Sequence, residues 1–208
     1  MKTTKEKLEE AFRLLREVVD ETGVNIIDNY GYREYTSLDV LKQYLPSLKK
    51  AIGRHGDDAL APDQNYFHVE LKSGTKQSKT LTVKNFPRLG FDKQNDPVRR
   101  EYIYNYDGFS LSFFEFYRPY PTAIVFVPAD QVPKLHPVFR AKQQDRVEHF
   151  QRMTAAGKNI GRDTIDLSLE EIVEHVGKEN LVCWLHDQRM DPVEFFRLLE
   201  TKQVKINS

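Results

Sequence analysis

Three side chains in the first half of the sequence have the types and spacing for phosphoryl chemistry: Asp58, Glu70 and Lys72. On a β-strand, residues two apart project to the same face. If Tyr66 to Lys72 is a strand, Glu70 and Lys72 therefore enter one space. Asp58 lies just before the turn-forming run Ala61-Pro62-Asp63-Gln64, so a hairpin would bring it back beside Glu70. Two carboxylates and an ammonium suit Mg²⁺, which takes one or two carboxylates and keeps several waters. Such an ion can clamp a phosphodiester, offset transition-state charge and help deprotonate an attacking water. Lys72 would complement the scissile phosphate and orient that water. The same residues also fit a surface hairpin with a Glu–Lys pair on its outer face and an aspartate at its turn. A second triplet of this kind, Glu200-Thr201-Lys202, falls at a helix end.

Other catalytic signatures are missing. There is no phosphate-binding GxxxxGK[ST] loop and no GxSxG elbow. His68-Val69-Glu70 matches half of a zinc deaminase motif, but the required pair of cysteines cannot exist with Cys183 alone. The six histidines are scattered without zinc-ligand spacing. One cysteine also rules out an internal disulfide and suits a reducing cytosol. The net charge of zero with 30 % charged residues argues against a non-specific nucleic-acid coat, though not against a local basic patch. The N-terminal residues lack the apolar core of a signal peptide, and the apolar run from Phe109 to Val127 is broken by charges and prolines.

The elements that must position the triplet follow from periodicity. A helix starts at Thr3, with Glu6 at capping-box spacing, and lines up Leu8, Phe12, Leu15 and Val19 before Gly23. A second runs from Ser37 as N-cap to Leu45, before Pro46, and a short amphipathic piece spans Leu48 to Ile52. The pattern then changes to period two, with Phe67, Val69 and Leu71 on one face and His68, Glu70 and Lys72 on the other. Strands follow at Phe109–Arg118 and Thr122–Val127, then helices at Pro137–Met153, Leu169–Val176 behind Ser168, and Pro192–Thr201 behind Asp191. The order predicts an α/β (α+β) class fold, a mixed sheet flanked by helices, in a single domain of 208 residues. Within it, 1–50 form a helical part, 53–130 the sheet with the triplet, and 131–208 a C-terminal helical part.

The stretch Gly53-Arg54-His55-Gly56-Asp57-Asp58-Ala59, followed by Val69-Glu70-Leu71-Lys72-Ser73, resembles the PvuII-type family of type II restriction endonucleases, in the PD-(D/E)xK nuclease superfamily. That family reads GR-acid-G-N-DA, a turn shorter by two residues, then Y-E-L-K-S. Weaker likeness extends over residues 8 to 177, through Asp28-Asn29, Asp96-Pro97-Val98, Glu101-Tyr102, Tyr117-Arg118 and Ile172–Gly177. The resemblance implies a restriction-endonuclease-like sheet and Mg²⁺-dependent hydrolysis of both strands of double-stranded DNA at a short palindrome, with Mn²⁺ able to substitute. The products would carry 5′-phosphate and 3′-hydroxyl ends. It makes Asp58, Glu70 and Lys72 catalytic, with Asp58 and Glu70 holding metal. It further implies a homodimer in a prokaryotic cytoplasm, paired with a cognate DNA methyltransferase and independent of membranes. His55 stands where the family has a further glutamate near its metals, and either Tyr102 or Tyr104 takes the family's tyrosine position beside the site.

From Lys72 to Arg100 eight Lys/Arg stand against two aspartates, which reads either as a solvated loop or as a DNA contact. On the second reading Lys76, Lys79, Lys84 and Arg88 meet phosphates or guanine, and Asn85 meets adenine in the major groove. Asp28 and Asn29 would approach the minor groove, and Arg162 and Thr164 are DNA-facing by the resemblance alone. Rival readings are a repair nickase or junction resolvase on the same core, or a DNA-binding module without catalysis.

Overall fold

A computed structural model describes residues 2–22, 31–51, 58–75, 78–115, 118–158 and 163–206. The chain is a mixed α/β protein. Helices α1 (Thr4–Thr22) and α2 (Gly31–Leu41) lead into strands β1 (Lys49–Lys50), β2 (Ala59–Ala61) and β3 (Tyr66–Thr75). Strand β4 (Leu89–Asp92) and the short helix α3 (Pro97–Tyr102) precede β5 (Gly108–Phe114) and β6 (Ala123–Val127). Then come α4 (His136–Ala155), β7 (Thr164–Leu167), α5 (Leu169–Val176), β8 (Val182–Leu185), β9 (Gln188–Met190) and α6 (Pro192–Glu200). The main sheet has the order β1-β2-β3-β5-β6-β8-β9, and β4 pairs with β7 in a separate ribbon. Only β3 and β5 run parallel in the main sheet, because the chain between them crosses over through β4 and α3. Among the described residues no helix is long and apolar enough to cross a membrane.

The sheet separates two cores. Every residue of β5 and β6 is buried, as expected of strands covered on both faces. Phe109, Leu111, Phe113, Val125 and Val127 join the larger core with Phe91, Phe139, Ile172 and Phe195. Ile124 and Phe126 face the other way, into a smaller core with Leu41, Val69, Leu71 and Trp184. Gly108 is needed where β5 begins, since a Cβ there would come within 2.8 Å of the Phe126 ring.

Several expectations change. Ser37 is not an N-cap but lies inside α2, where its buried hydroxyl donates to Ser112 on β5 at 2.9 Å. A serine mid-helix with a tertiary partner carries the same local signal as a cap. Lys49–Lys50, within the expected amphipathic piece, pair with β2 as an edge strand. Phe67 does not share a face with Val69: it is exposed, and Tyr66 takes its place in the smaller core. The register shifts there, with Ala59 opposite Val69 but Ala61 opposite Tyr66. This bulge lets the amides of Phe67 and His68 both donate to Asp107 Oδ2, at 2.7 and 3.0 Å. The capping box at Thr3–Glu6 and the Ser168 and Asp191 caps form as expected, and Ser168 closes a further box with Glu171.

Candidate active site

Strand β2 and the bulged start of β3 set the position of Asp58. Its amide donates to the Val69 carbonyl at 3.1 Å, and its Oδ2 accepts from the Leu71 amide at 2.7 Å. Both bonds come from backbone, so the carboxylate is pinned to the neighbouring strand. Beyond the bulge, Val69 and Leu71 enter the smaller core, which turns Glu70 and Lys72 toward the opposite side of the sheet. There Lys72 Nζ forms an ion pair with Glu70 Oε1, and it lies 5.8 Å from the centre of the Phe91 ring.

This face does not look out on solvent. Glu70 is only 6 % exposed, because β4 and α3 stand across from it. Between them lies a cleft of about 290 Å³ that Asp58, Glu70 and Lys72 all line. Its facing wall carries Phe91, Asp92 and Lys93 from the end of β4, and Arg99 and Tyr102 from α3. An ordinary surface hairpin would leave that face open to water.

Burial sets the electrostatics. It raises the Asp58 carboxyl above the usual carboxylate range, more than the Leu71 amide and the Lys72 charge lower it. Burial also raises Glu70, and the nearby Asp58 charge adds to that, against the opposing pull of Lys72. Two partly dehydrated carboxylates beside each other are costly as anions, and a cation between them relieves that cost. Oxygen donors with room for water fit Mg²⁺ or Mn²⁺ rather than zinc. Among the described residues no group of three or more His, Cys, Asp or Glu that could hold a metal ion converges.

Tyr106 is a site residue that the sequence reading passes over. Its hydroxyl bonds to Glu70, and burial together with the Glu70 charge pushes its ionisation far up, so it stays a neutral donor. Tyr102 lines the same cleft, edge-on to Tyr106 at 5.6 Å and to His68 at 6.2 Å. Tyr104 points elsewhere: its hydroxyl donates to Gln143 on α4 at 2.7 Å, and its ring meets His136. Arg99 and Tyr102 lie three apart on α3 and share its face toward the cleft, whereas Tyr106 follows the helical turns in extended backbone, just before β5.

The expected DNA contacts mostly lie away from this cleft. The Asn85 side chain caps a helical turn, accepting from the Thr82 amide at 2.7 Å and donating to Ser78 and Thr80. With both ends of the amide engaged, it has no bidentate face for adenine. Lys84 lies beside a different groove, against α5 and α6. Lys79 is exposed, and its carbonyl accepts from Ile206 near the chain's end. Arg88 pairs with Asp166, at 3.1 Å, and Thr164 donates to Asp92 at 2.7 Å on the outer row of the β4–β7 ribbon. Asp28, Asn29, His55, Lys76 and Arg162 lie outside the described residues. Comparison of the chain with models of known protein families and with curated proteins gives no match.

Proposed function

We propose that the protein is a Mg²⁺-dependent nuclease that hydrolyses both strands of double-stranded DNA as a homodimer, in the manner of a type II restriction endonuclease. One observation carries this reading: a buried carboxylate, Glu70, a half-buried one, Asp58, and a lysine converge in a cleft, beyond what a surface hairpin would provide. Asp58 and Glu70 would hold the ion through their oxygens, with Mn²⁺ as a substitute. A bound Mg²⁺ supplies charge neutralisation at the phosphate and lowers the ionisation of a coordinated water.

The protein's own groups do the positioning. The Leu71 amide fixes one oxygen of Asp58 and leaves the other for the ion. Tyr106 and Lys72 orient Glu70. Lys72, paired with Glu70 in the cleft, would donate to a non-bridging phosphate oxygen or to the attacking water. Phe91, Tyr102 and Tyr106 wall the cleft with aromatic surface, which lowers the local dielectric around these charges.

The test is digestion of plasmid and linear DNA with Mg²⁺ by the wild type and by Asp58→Asn, Glu70→Gln and Lys72→Ala. Each substitution is expected to lower the rate by at least about 10²-fold. Discrete fragments from linear DNA support restriction, whereas cutting of branched DNA alone supports a junction resolvase. Equal cleavage by wild type and all three variants would sink the assignment.

A further inference from the structure

We propose that Lys93 and Arg99 form a second phosphate-binding subsite, which grips a phosphodiester neighbouring the one at Asp58, Glu70 and Lys72. The inference rests on the nuclease reading and narrows its substrate to a polynucleotide strand. Three observations carry it.

The first is charge balance. The cleft is lined by three carboxylates, Asp58, Glu70 and Asp92, and by three cations, Lys72, Lys93 and Arg99. Their formal sum is zero, and a divalent ion bound to Asp58 and Glu70 brings it to +2. One phosphodiester carries a single negative charge, so the loaded cleft is balanced by two of them.

The second is availability. Lys72 is paired with Glu70, Arg88 with Asp166, Lys142 with Glu171 and Arg146 with Asp163. Among the described residues Lys93 and Arg99 make no ion pair. Asp92, the acid next to Lys93, accepts from the Thr164 hydroxyl at 2.7 Å. Two unpaired cations lining one cleft repel, and an anion bound in it relieves this.

The third is the loop that carries Lys93. The residue sits in the left-handed region, at φ 59°, a conformation costing a non-glycine residue about 1–2 kcal/mol. Its neighbours hold it there. Gln94 is 1 % exposed; its amide donates to the Asp163 carbonyl at 3.1 Å, and its side chain bonds to the Asp92 carbonyl and to Gln143. The Lys93 carbonyl accepts from the Asp96 amide at 3.0 Å. Asp96 in turn caps α3 through the Val98 amide at 2.9 Å, which ties Arg99 to the same unit. Strain retained under such constraint is found where a side chain must be aimed.

The experiment measures binding of a fluorescent 20-base-pair duplex by anisotropy, with Ca²⁺ in place of Mg²⁺, across a range of KCl concentrations. Lys93→Asn keeps a residue tolerant of the left-handed region, and Arg99→Gln keeps a helix former. In the homodimer each substitution is present twice, so each is expected to reduce the slope of log K against log[KCl] by about two, and the double variant by about four. The charge-keeping Lys93→Arg and Arg99→Lys should retain the wild-type slope, and thermal melts of every variant register any loss of fold. An unchanged slope in the double variant, or failure of the wild type to bind DNA, overturns the subsite. Parallel Mg²⁺ digestion separates the two readings. Wild-type cleavage with an unchanged slope in the double variant removes the subsite alone, and slope loss without any cleavage removes hydrolysis alone.

Discussion

The Leu71 amide donates to Oδ2 of Asp58 at 2.7 Å, so the strand that carries Glu70 and Lys72 also holds the carboxylate facing them. Three groups of the cleft thus depend on one hairpin register. A slip of one residue would send Glu70 and Lys72 to the other face of the sheet.

Asp58→Asn should separate stability from function. The carboxamide oxygen still accepts from Leu71, while a dehydrated charge beside Glu70 is removed. Without divalent ions the variant is expected to melt about 2–4 °C above wild type, the shift that about 1 kcal/mol gives in a domain of this size. Adding Mg²⁺ or Ca²⁺ should raise the wild-type melting temperature by mass action, and EDTA should reverse it. In the variant the ion should have little effect. Calorimetry with and without metal checks both outcomes.

Tyr106→Phe removes a donor from Glu70 and keeps the aromatic wall of the cleft. Losing the group that orients a metal-binding carboxylate is expected to raise the Mg²⁺ concentration for half-maximal cleavage by about 10–100-fold. Tyr104→Phe should leave that Mg²⁺ dependence unchanged and cost about 1 kcal/mol through the lost Gln143 bond. Mg²⁺ titrations of cleavage, alongside melting curves, distinguish the two tyrosines.

Asp107→Ala strips the acceptor shared by the Phe67 and His68 amides. The expected cost is about 1–3 kcal/mol, and because the bulge sets which way Glu70 faces, activity should fall with it. Asp107→Asn, which keeps one oxygen, should lose less of both. A denaturation series with matched cleavage rates tests the link; equal activity in the alanine variant at full folding would break it.

The Ser168–Glu171 capping box predicts a pH dependence. Burial pushes the Glu171 carboxyl up, but the Lys142 ammonium and the bonds from Ser168 outweigh it, so the group lies below its ordinary value. A lowered carboxyl contributes stability above its unfolded value of about 4.3 and loses it as pH falls through the folded value. Glu171→Gln should therefore destabilise at pH 7, by less than about 1 kcal/mol because the pair is solvent-screened. The difference from wild type should shrink as pH falls through the lowered folded value, as melts at pH 7 and at successively more acidic pH would register.

What the sequence determined by itself is what local rules encode. Ser168 before Leu169, and Asp191 before Pro192, mark helix starts because a cap bonds to amides within three residues. Asp58 and the Glu70-Leu71-Lys72 run could be brought together on paper because a short hairpin joins them. The tertiary structure alone decided the rest. Strands Leu89–Asp92 and Thr164–Leu167 are too short for a periodic signal, and each exists because it pairs with the other from far along the chain. Their ribbon and α3 enclose Glu70 and turn a polar hairpin face into a cleft. Asn85 looked available until its amide proved to cap a turn, and Tyr106 became a site residue only when β5 began beside Glu70. Residue types and short-range spacing specify which groups can react. Which of them share a dehydrated volume depends on contacts between distant segments, and those leave no period in the sequence.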